Sequence, residues 1–250
     1  MLNVASYLER IGFSEPAHSN VETLQALHVA HMRTVPFENL DIGLGTPIVC
    51  DERRFVHKIV DLHRGGFCYE LNGAFASLLR ALGFSVTLLS ARVSREDGSA
   101  SAEFDHLALL VQLEEPWLAD VGFGDSFLAP LRLKPDAEQE QPSGRFRIVQ
   151  VGDVMIVQRT RPGEFWKSQY QFTLSPWQLS DFAARCHYHQ TSSESHFTRQ
   201  RICTLPTPDG RITLSDLKLI RTTRQIREER ELQTEDEWRE ALKEFFGVQL

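Results

Sequence analysis

What this chain lacks narrows it first. It has no apolar run of the roughly 18–20 residues that a membrane-crossing helix needs, so no helix is expected to span a bilayer. It has no surplus of positive charge: 27 Lys and Arg stand against 34 Asp and Glu, a net charge of −7. Nucleic acid, which demands a cationic surface, is therefore not an expected partner, although a local basic pocket for one small phosphorylated ligand still fits. There is no C-x-x-C pair among the four cysteines, Cys50, Cys68, Cys186 and Cys203. The stretch Met1 to Arg10 lacks the basic-then-apolar shape of a signal peptide. A cytoplasmic location and unpaired thiols are the matching expectations. Internal repeats and low-complexity tracts are missing too.

What is present reads as an ordinary globular chain. Its 250 residues, 42% hydrophobic and 24% charged, can bury a core as one large domain or two or three small ones. The most informative stretch is Arg64-Gly65-Gly66-Phe67-Cys68. Leu71, Phe75, Leu78, Leu79 and Leu82 recur behind it at helical spacing, and Gly83 suits the position just past a helix end. Cys68 thus falls in a first helical turn. Free N–H groups and the helix dipole there favour a thiolate, and Arg64 is expected to push the same way. Cys50, Cys186 and Cys203 read as small buried apolar residues.

The first third reads as helical. Val4, Tyr7, Leu8 and Ile11 form one stripe; Ser19 to Glu22 fits a capping box before a helix that must end ahead of Pro36. From Phe84 the texture turns to strands: Phe84–Val93, His106–Leu113, Trp117–Val121, Phe146–Val151, Val154–Thr160 and Trp166–Thr173, with Gly152-Asp153 as a hairpin turn. Glu114–Pro116 and Lys134–Gly144 read as loops. In the last third Ser175-Pro176 is expected to open a helix carrying Phe182, Ala183 and Cys186. Arg211–Leu214 is a short strand, and Thr234 to Glu237 caps a final helix lined by Trp238, Leu242, Phe245 and Phe246.

A cysteine nucleophile needs a base, and the base an orienter. Nine histidines compete for the role. His106 opens a strand, and Asp120 closes the next one, so one sheet edge can hold both. Spacing alone leaves the bland reading level: a strand-edge histidine, a turn aspartate and an inert buried thiol.

Four segments in order change the balance. Arg64-Gly65-Gly66-Phe67-Cys68-Tyr69-Glu70-Leu71-Asn72 resembles the signature of the arylamine N-acetyltransferases. Val35-Pro36-Phe37-Glu38-Asn39-Leu40, His106-Leu107 and Asp120-Val121-Gly122-Phe123-Gly124 resemble that family's other motifs. Weaker similarity covers most of the chain and loosens over the last fifty or so residues. The resemblance implies a catalytic triad of Cys68, His106 and Asp120 and a ping-pong reaction. In it Cys68 takes an acetyl group from acetyl-CoA and passes it to an arylamine or arylhydrazine. It implies an α+β fold: an N-terminal helical bundle (1–83) with the cysteine, a central β-barrel (84–174) with His106 and Asp120, and a C-terminal α/β lid (175–250).

Around the triad, Arg64 and Glu38 read as a buried structural ion pair. Phe37, Phe123 and Phe127 are candidates for an aromatic acceptor pocket, with Phe67 as core packing. By the same resemblance, Asp105 stands where many family members carry a neutral residue. Arg199, Gln200 and Arg201, near Phe197, either touch the coenzyme phosphates or form a solvated run. Cys186-His187-Tyr188-His189 lacks the second ligand pair that zinc requires, so no metal is expected. Rival functions with the same triad are an amide synthase or acyltransferase using another acyl donor, and a thioester hydrolase. A metal-binding non-enzyme is a further, weaker alternative. The expected partners are small molecules, with the protein a monomer or homodimer.

Overall fold

The computed structural model describes residues 2–224 and 226–250. Helices dominate at first: α1 (Val4–Arg10), α2 (Val21–Thr34), α3 (Leu40–Leu44), α4 (Glu52–Val56), which runs on as a π-helical turn through Asp61, and α5 (Cys68–Ala81). The N-cap of α2 is Asn20 rather than Ser19; its side-chain oxygen accepts the Thr23 N–H. At the other end of α5, Gly83 adopts φ +88°, a conformation that only glycine reaches at little cost.

Eight antiparallel strands follow in a nearly closed sheet: β2 (Ser85–Val93), β3 (His106–Gln112), β4 (Pro116–Ala119), β5 (Leu131–Arg132), β6 (Gln139–Gln141), β7 (Gly144–Val151), β8 (Val154–Thr160) and β9 (Lys167–Phe172). Their spatial order is β5-β4-β3-β2-β9-β8-β7-β6. Side chains bridge the two edges. Gln139 accepts the Arg132 N–H and donates to its carbonyl, and Gln141 does the same with Leu128, Ala129 and the Ala129 carbonyl. An amide side chain thus stands in for a strand's peptide. Lys134–Gly144, expected as loop, therefore contains β6.

A short strand β1 (Phe37–Glu38) belongs to a second sheet with β10 (Ile202–Thr207), β11 (Gly210–Ser215), β12 (Lys218–Thr223) and β13 (Ile226–Glu231), in the order β1-β10-β11-β12-β13. Helices α6 (Ala183–Thr191) and α7 (His196–Arg199) precede that sheet, and α8 (Glu235–Phe246) covers it. The α+β class is as expected, but this sheet is far larger than Arg211–Leu214. Ser175-Pro176 does not open a helix: the Trp177 N–H donates to the Leu88 carbonyl, holding this stretch extended against β2. The helical turn starts only at Leu179, where the Asp181 carboxylate accepts the Gln178 N–H.

Strand β3 is buried on both faces. Leu107, Leu109 and Val111 pack against α5, while Ala108 and Leu110 turn into the barrel. In β4, Trp117 and Ala119 share the α5 side, and Leu118 the barrel side. His106 and Asp120 have the barrel-side parity. Continuing the β3–β4 register one step past Leu109↔Ala119 sets Asp120 across from Ala108, which makes Asp120 the diagonal cross-strand neighbour of His106.

Candidate active site

Three elements bring the expected triad to one buried point. Cys68 begins α5, His106 begins β3, and Asp120 lies just past β4; they are 4%, 3% and 1% exposed. His106 Nε2 lies 2.7 Å from Asp120 Oδ2. Asp120 Oδ1 accepts from Asn72 Nδ2 at 2.8 Å and from the Gly122 N–H at 2.9 Å. Burial alone would raise the Asp120 carboxyl, but His106, Asn72 and the Gly122 N–H hold it below its ordinary range.

Asn72 lies in the cysteine motif, and its spacing from Cys68 points it at the site. Four residues along α5, it shares the cysteine's helix face. Besides Asp120, it donates to the Leu107 carbonyl at 2.6 Å and accepts the Val121 N–H at 2.9 Å. One side chain therefore ties the cysteine helix to both strands. Close approach demands glycine at 122, since a Cβ there would lie 2.8 Å from Cys68 Cα. His28 is a residue that pattern reading missed. Fully buried, its Nδ1 meets the Leu128 carbonyl at 2.7 Å and its Nε2 accepts the Asp120 N–H at 3.0 Å. Desolvation depresses its pKa to about 4, which keeps it neutral at pH 7.

The helix start does not dominate the Cys68 thiol. Burial pushes it well above its ordinary range; bonds from the backbone of Leu107 and Tyr69 oppose this, and the charges of Asp105 and Asp120 reinforce it. Nor does Arg64 serve the sulfur, because its guanidinium is taken up elsewhere. Its Nε and Nη2 reach Glu38 Oε1 at 3.1 and 2.8 Å, and Nη2 reaches Asp41 Oδ1 at 3.0 Å. Lys58 Nζ completes the cluster at 2.8 Å from both Asp41 and Glu70. Glu38 also accepts the Leu40 N–H, and Glu70 the Phe67 N–H, so the cluster caps α3 and α5. With three carboxylates against two cations, Glu70 is pushed to about 7: burial first, opposed by Lys58, then aided by Glu38.

The aromatic candidates separate. Phe37 lies tilted by 41° against Phe197 with centroids 6.2 Å apart, and Phe123 meets the His106 ring edge-on at 5.2 Å. Both are half-buried. Phe127 instead points into the barrel core, fully buried between His28 and Phe146, with no surface left for a ligand. Phe67 is likewise core. Phe197 touches Phe37, Phe67 and His189 and is half-buried beside Phe37. Arg201 is bidentate to Glu235 at 2.9 and 2.8 Å and stacks on Trp238, so its charge is engaged. Asp105 is held by Arg185 and faces His189 Nε2 at 2.9 Å. Among the described residues no group of three or more His, Cys, Asp or Glu is arranged to hold a metal ion. Nor is any helix long and apolar enough to cross a membrane.

Comparison with known proteins gives the family and the fold. A family model described as N-acetyltransferase matches residues 20–250. The arylamine N-acetyltransferase of Escherichia coli is 40% identical over 213 residues, 84% of this chain and 75% of the relative. The solved arylamine N-acetyltransferase of Salmonella typhimurium superposes with a TM-score of 0.93 at 34% identity, covering 99% of this chain and 92% of that one. The Mycobacterium marinum arylamine N-acetyltransferase, solved in complex with CoA, superposes with a TM-score of 0.91 at 29% identity, covering 98% and 93%.

Proposed function

The chain belongs to the arylamine N-acetyltransferase family, and from that premise we propose that Cys68, His106 and Asp120 move an acetyl group from acetyl-CoA to an arylamine or arylhydrazine nitrogen. The observation that carries the reading is the buried His106–Asp120 contact, braced by Asn72 from the cysteine's own helix.

The raised Cys68 pKa makes the base indispensable. Asp120 engages His106 Nε2, so the ring presents Nδ1 as its free nitrogen. The Cys68 proton passes to that nitrogen as the sulfur attacks the thioester carbonyl. Imidazolium beside the Asp120 carboxylate offsets the new charge. The carbonyl–sulfur bond to CoA then breaks, and the departing thiolate takes the proton from His106. Acyl exchange between two sulfurs is nearly thermoneutral, which suits a reversible first half-reaction. An aromatic amine, neutral at pH 7, next attacks the acetyl-cysteine. His106 accepts its N–H proton and the bond to Cys68 breaks, restoring the thiol.

Phe37, Phe123 and Phe197 offer ring faces for an aromatic acceptor. Three arginines, Arg159, Arg161 and Arg211, gather on the single Asp125, two residues past Phe123. That surplus of positive charge suits the phosphates of the donor.

Brief exposure to acetyl-CoA followed by intact-protein mass spectrometry tests the proposal. One acetyl group should appear, be absent in Cys68→Ala, and be discharged by an anisidine. Steady acetate release without amine, as fast as with it, would instead make the protein a thioester hydrolase. Acetylation that persists in Cys68→Ala would remove the assigned nucleophile.

A further inference from the structure

One histidine joins both ends of the segment that carries the site's aspartate. His28 lies midway along α2 and is fully buried. Its ring is edge-to-face with Phe75 and stacked on Phe127, each with centroids 5.9 Å apart. Its Nε2 accepts the Asp120 N–H at 3.0 Å, where the segment leaves β4, and its Nδ1 meets the Leu128 carbonyl at 2.7 Å, where the segment ends ahead of β5. A peptide N–H can only donate and a carbonyl can only accept, so these two contacts fix the tautomer: Nδ1 carries the proton and Nε2 is bare. An imidazolium would turn a second N–H on that of Asp120. Burial disfavours that form, lowering the His28 pKa to about 4.

Between those two ends lie groups set around the triad. Gly122 lies against the Cys68 backbone, Phe123 meets the His106 ring, and Asp125 gathers Arg159, Arg161 and Arg211. Helix α5 holds this segment through Asn72, which accepts the Val121 N–H. The barrel holds it through Gln141, which accepts the Leu128 N–H, and Gln169, which accepts from Ser126 Oγ. Helix α2 holds it through His28, the side chain that binds its first and last residues together.

We propose that His28 is a positioning residue for acyl transfer: as a clasp across the two ends of the 120–128 segment, it sets the Asp120 carboxylate on His106. The proposal rests on the reading of Cys68, His106 and Asp120 as the triad. His28 bonds the Asp120 backbone rather than the carboxylate, so it acts on proton transfer through the placement of Asp120. An apolar side chain in its place would leave the buried Asp120 N–H and Leu128 carbonyl without these partners, and the segment would shift to recover them. A carboxylate displaced by about 1 Å slows the reaction on the order of 10²-fold.

The test is a double-mutant cycle on single-turnover acylation of the full chain by acetyl-CoA, with rates normalised to the acetyl group each preparation incorporates. His28→Leu should slow Cys68 acylation by about 10²-fold. In an Asp120→Asn background, where the anion to be aligned is already gone, the same substitution should cost less than about threefold. Equal losses in the two backgrounds would make His28 a packing residue, and undiminished acylation in His28→Leu would leave the clasp without effect; either overturns the proposal while the triad reading stands. A wild-type protein that takes up no acetyl group at Cys68 would remove the triad reading and the clasp with it. Should His28→Leu not fold, nitrogen NMR of the histidine-labelled wild type decides. The His28 ring, assigned through its contacts with Phe75 and Phe127, should carry its proton on Nδ1 and none on Nε2 at pH 7; a proton on Nε2 overturns the clasp.

Discussion

On one side of the first turn of α5, five charged side chains, Glu38, Asp41, Lys58, Arg64 and Glu70, pack out of reach of water. On the other, Asp120 is surrounded by Asn72, the Gly122 N–H, the backbone-bound His28 and His106. In the first cluster cations and carboxylates consume one another's fields, and the one carboxylate in excess, at Glu70, shares its site with a proton near pH 7. In the second, neutral dipoles solvate the anion without cancelling its charge, which stays available for an imidazolium. An ion cluster is suited to holding backbone segments together; an anion held by neutral donors is suited to proton transfer.

Removing the charge from the second cluster should have the largest effect. Asp120→Asn keeps the volume but loses the anion, so Cys68 acylation should fall by roughly 10⁴-fold with a far smaller change in stability. Rapid-quench acylation with acetyl-CoA measures this, and a loss of only about tenfold would show that the anion is not what drives the proton transfer.

Breaking the first cluster should show the opposite split. Glu38→Ala leaves Arg64 and Lys58 short of a buried partner, a loss of about 3–5 kcal/mol in urea denaturation. Acylation by the folded fraction should survive; if it collapses along with stability, the two clusters are not separable.

The smallest effect sharpens the contrast through pH. The Glu70 carboxyl titrates near 7 when folded and near 4.5 when unfolded. The folded state holds that proton more tightly, so its contribution is complete below the unfolded value and is lost as pH rises through 7. Stability should therefore drop by on the order of 2–3 kcal/mol between about pH 5 and 7.5, and the isosteric, neutral Glu70→Gln should remove that slope. Identical slopes in the two proteins would place the proton elsewhere.

Much of the frame was legible because its signals are local. The Leu71–Leu82 stripe, Gly83, the Gly152 turn and the Thr234 cap each act within a few residues, and each matches an observed element. Strands β12 and β13 were not legible. Residues Ile226–Glu231 are all exposed, so no alternation of apolar and polar marks them, and only pairing with β12 makes them a strand. The same holds for β6, whose glutamines matter through bonds to β5 and the segment before it. Within the site, Cys68, His106 and Asp120 could be named from motifs. Phe127 could not be told from Phe123, because which side of a loop faces the core is not a local property.

The order of its motifs and the cap and stripe of α5 determine by themselves that this chain places a cysteine at a helix start within an acetyltransferase frame. Local periodicity and short-range hydrogen bonds suffice for that. Tertiary structure alone decided the state of that cysteine. Burial raises its pKa and the acid cluster takes Arg64, while Asn72 and the β3–β4 register set Asp120 on His106. Desolvation and electrostatic fields depend on which groups lie within a few ångströms, and that neighbourhood exists only once distant segments have packed.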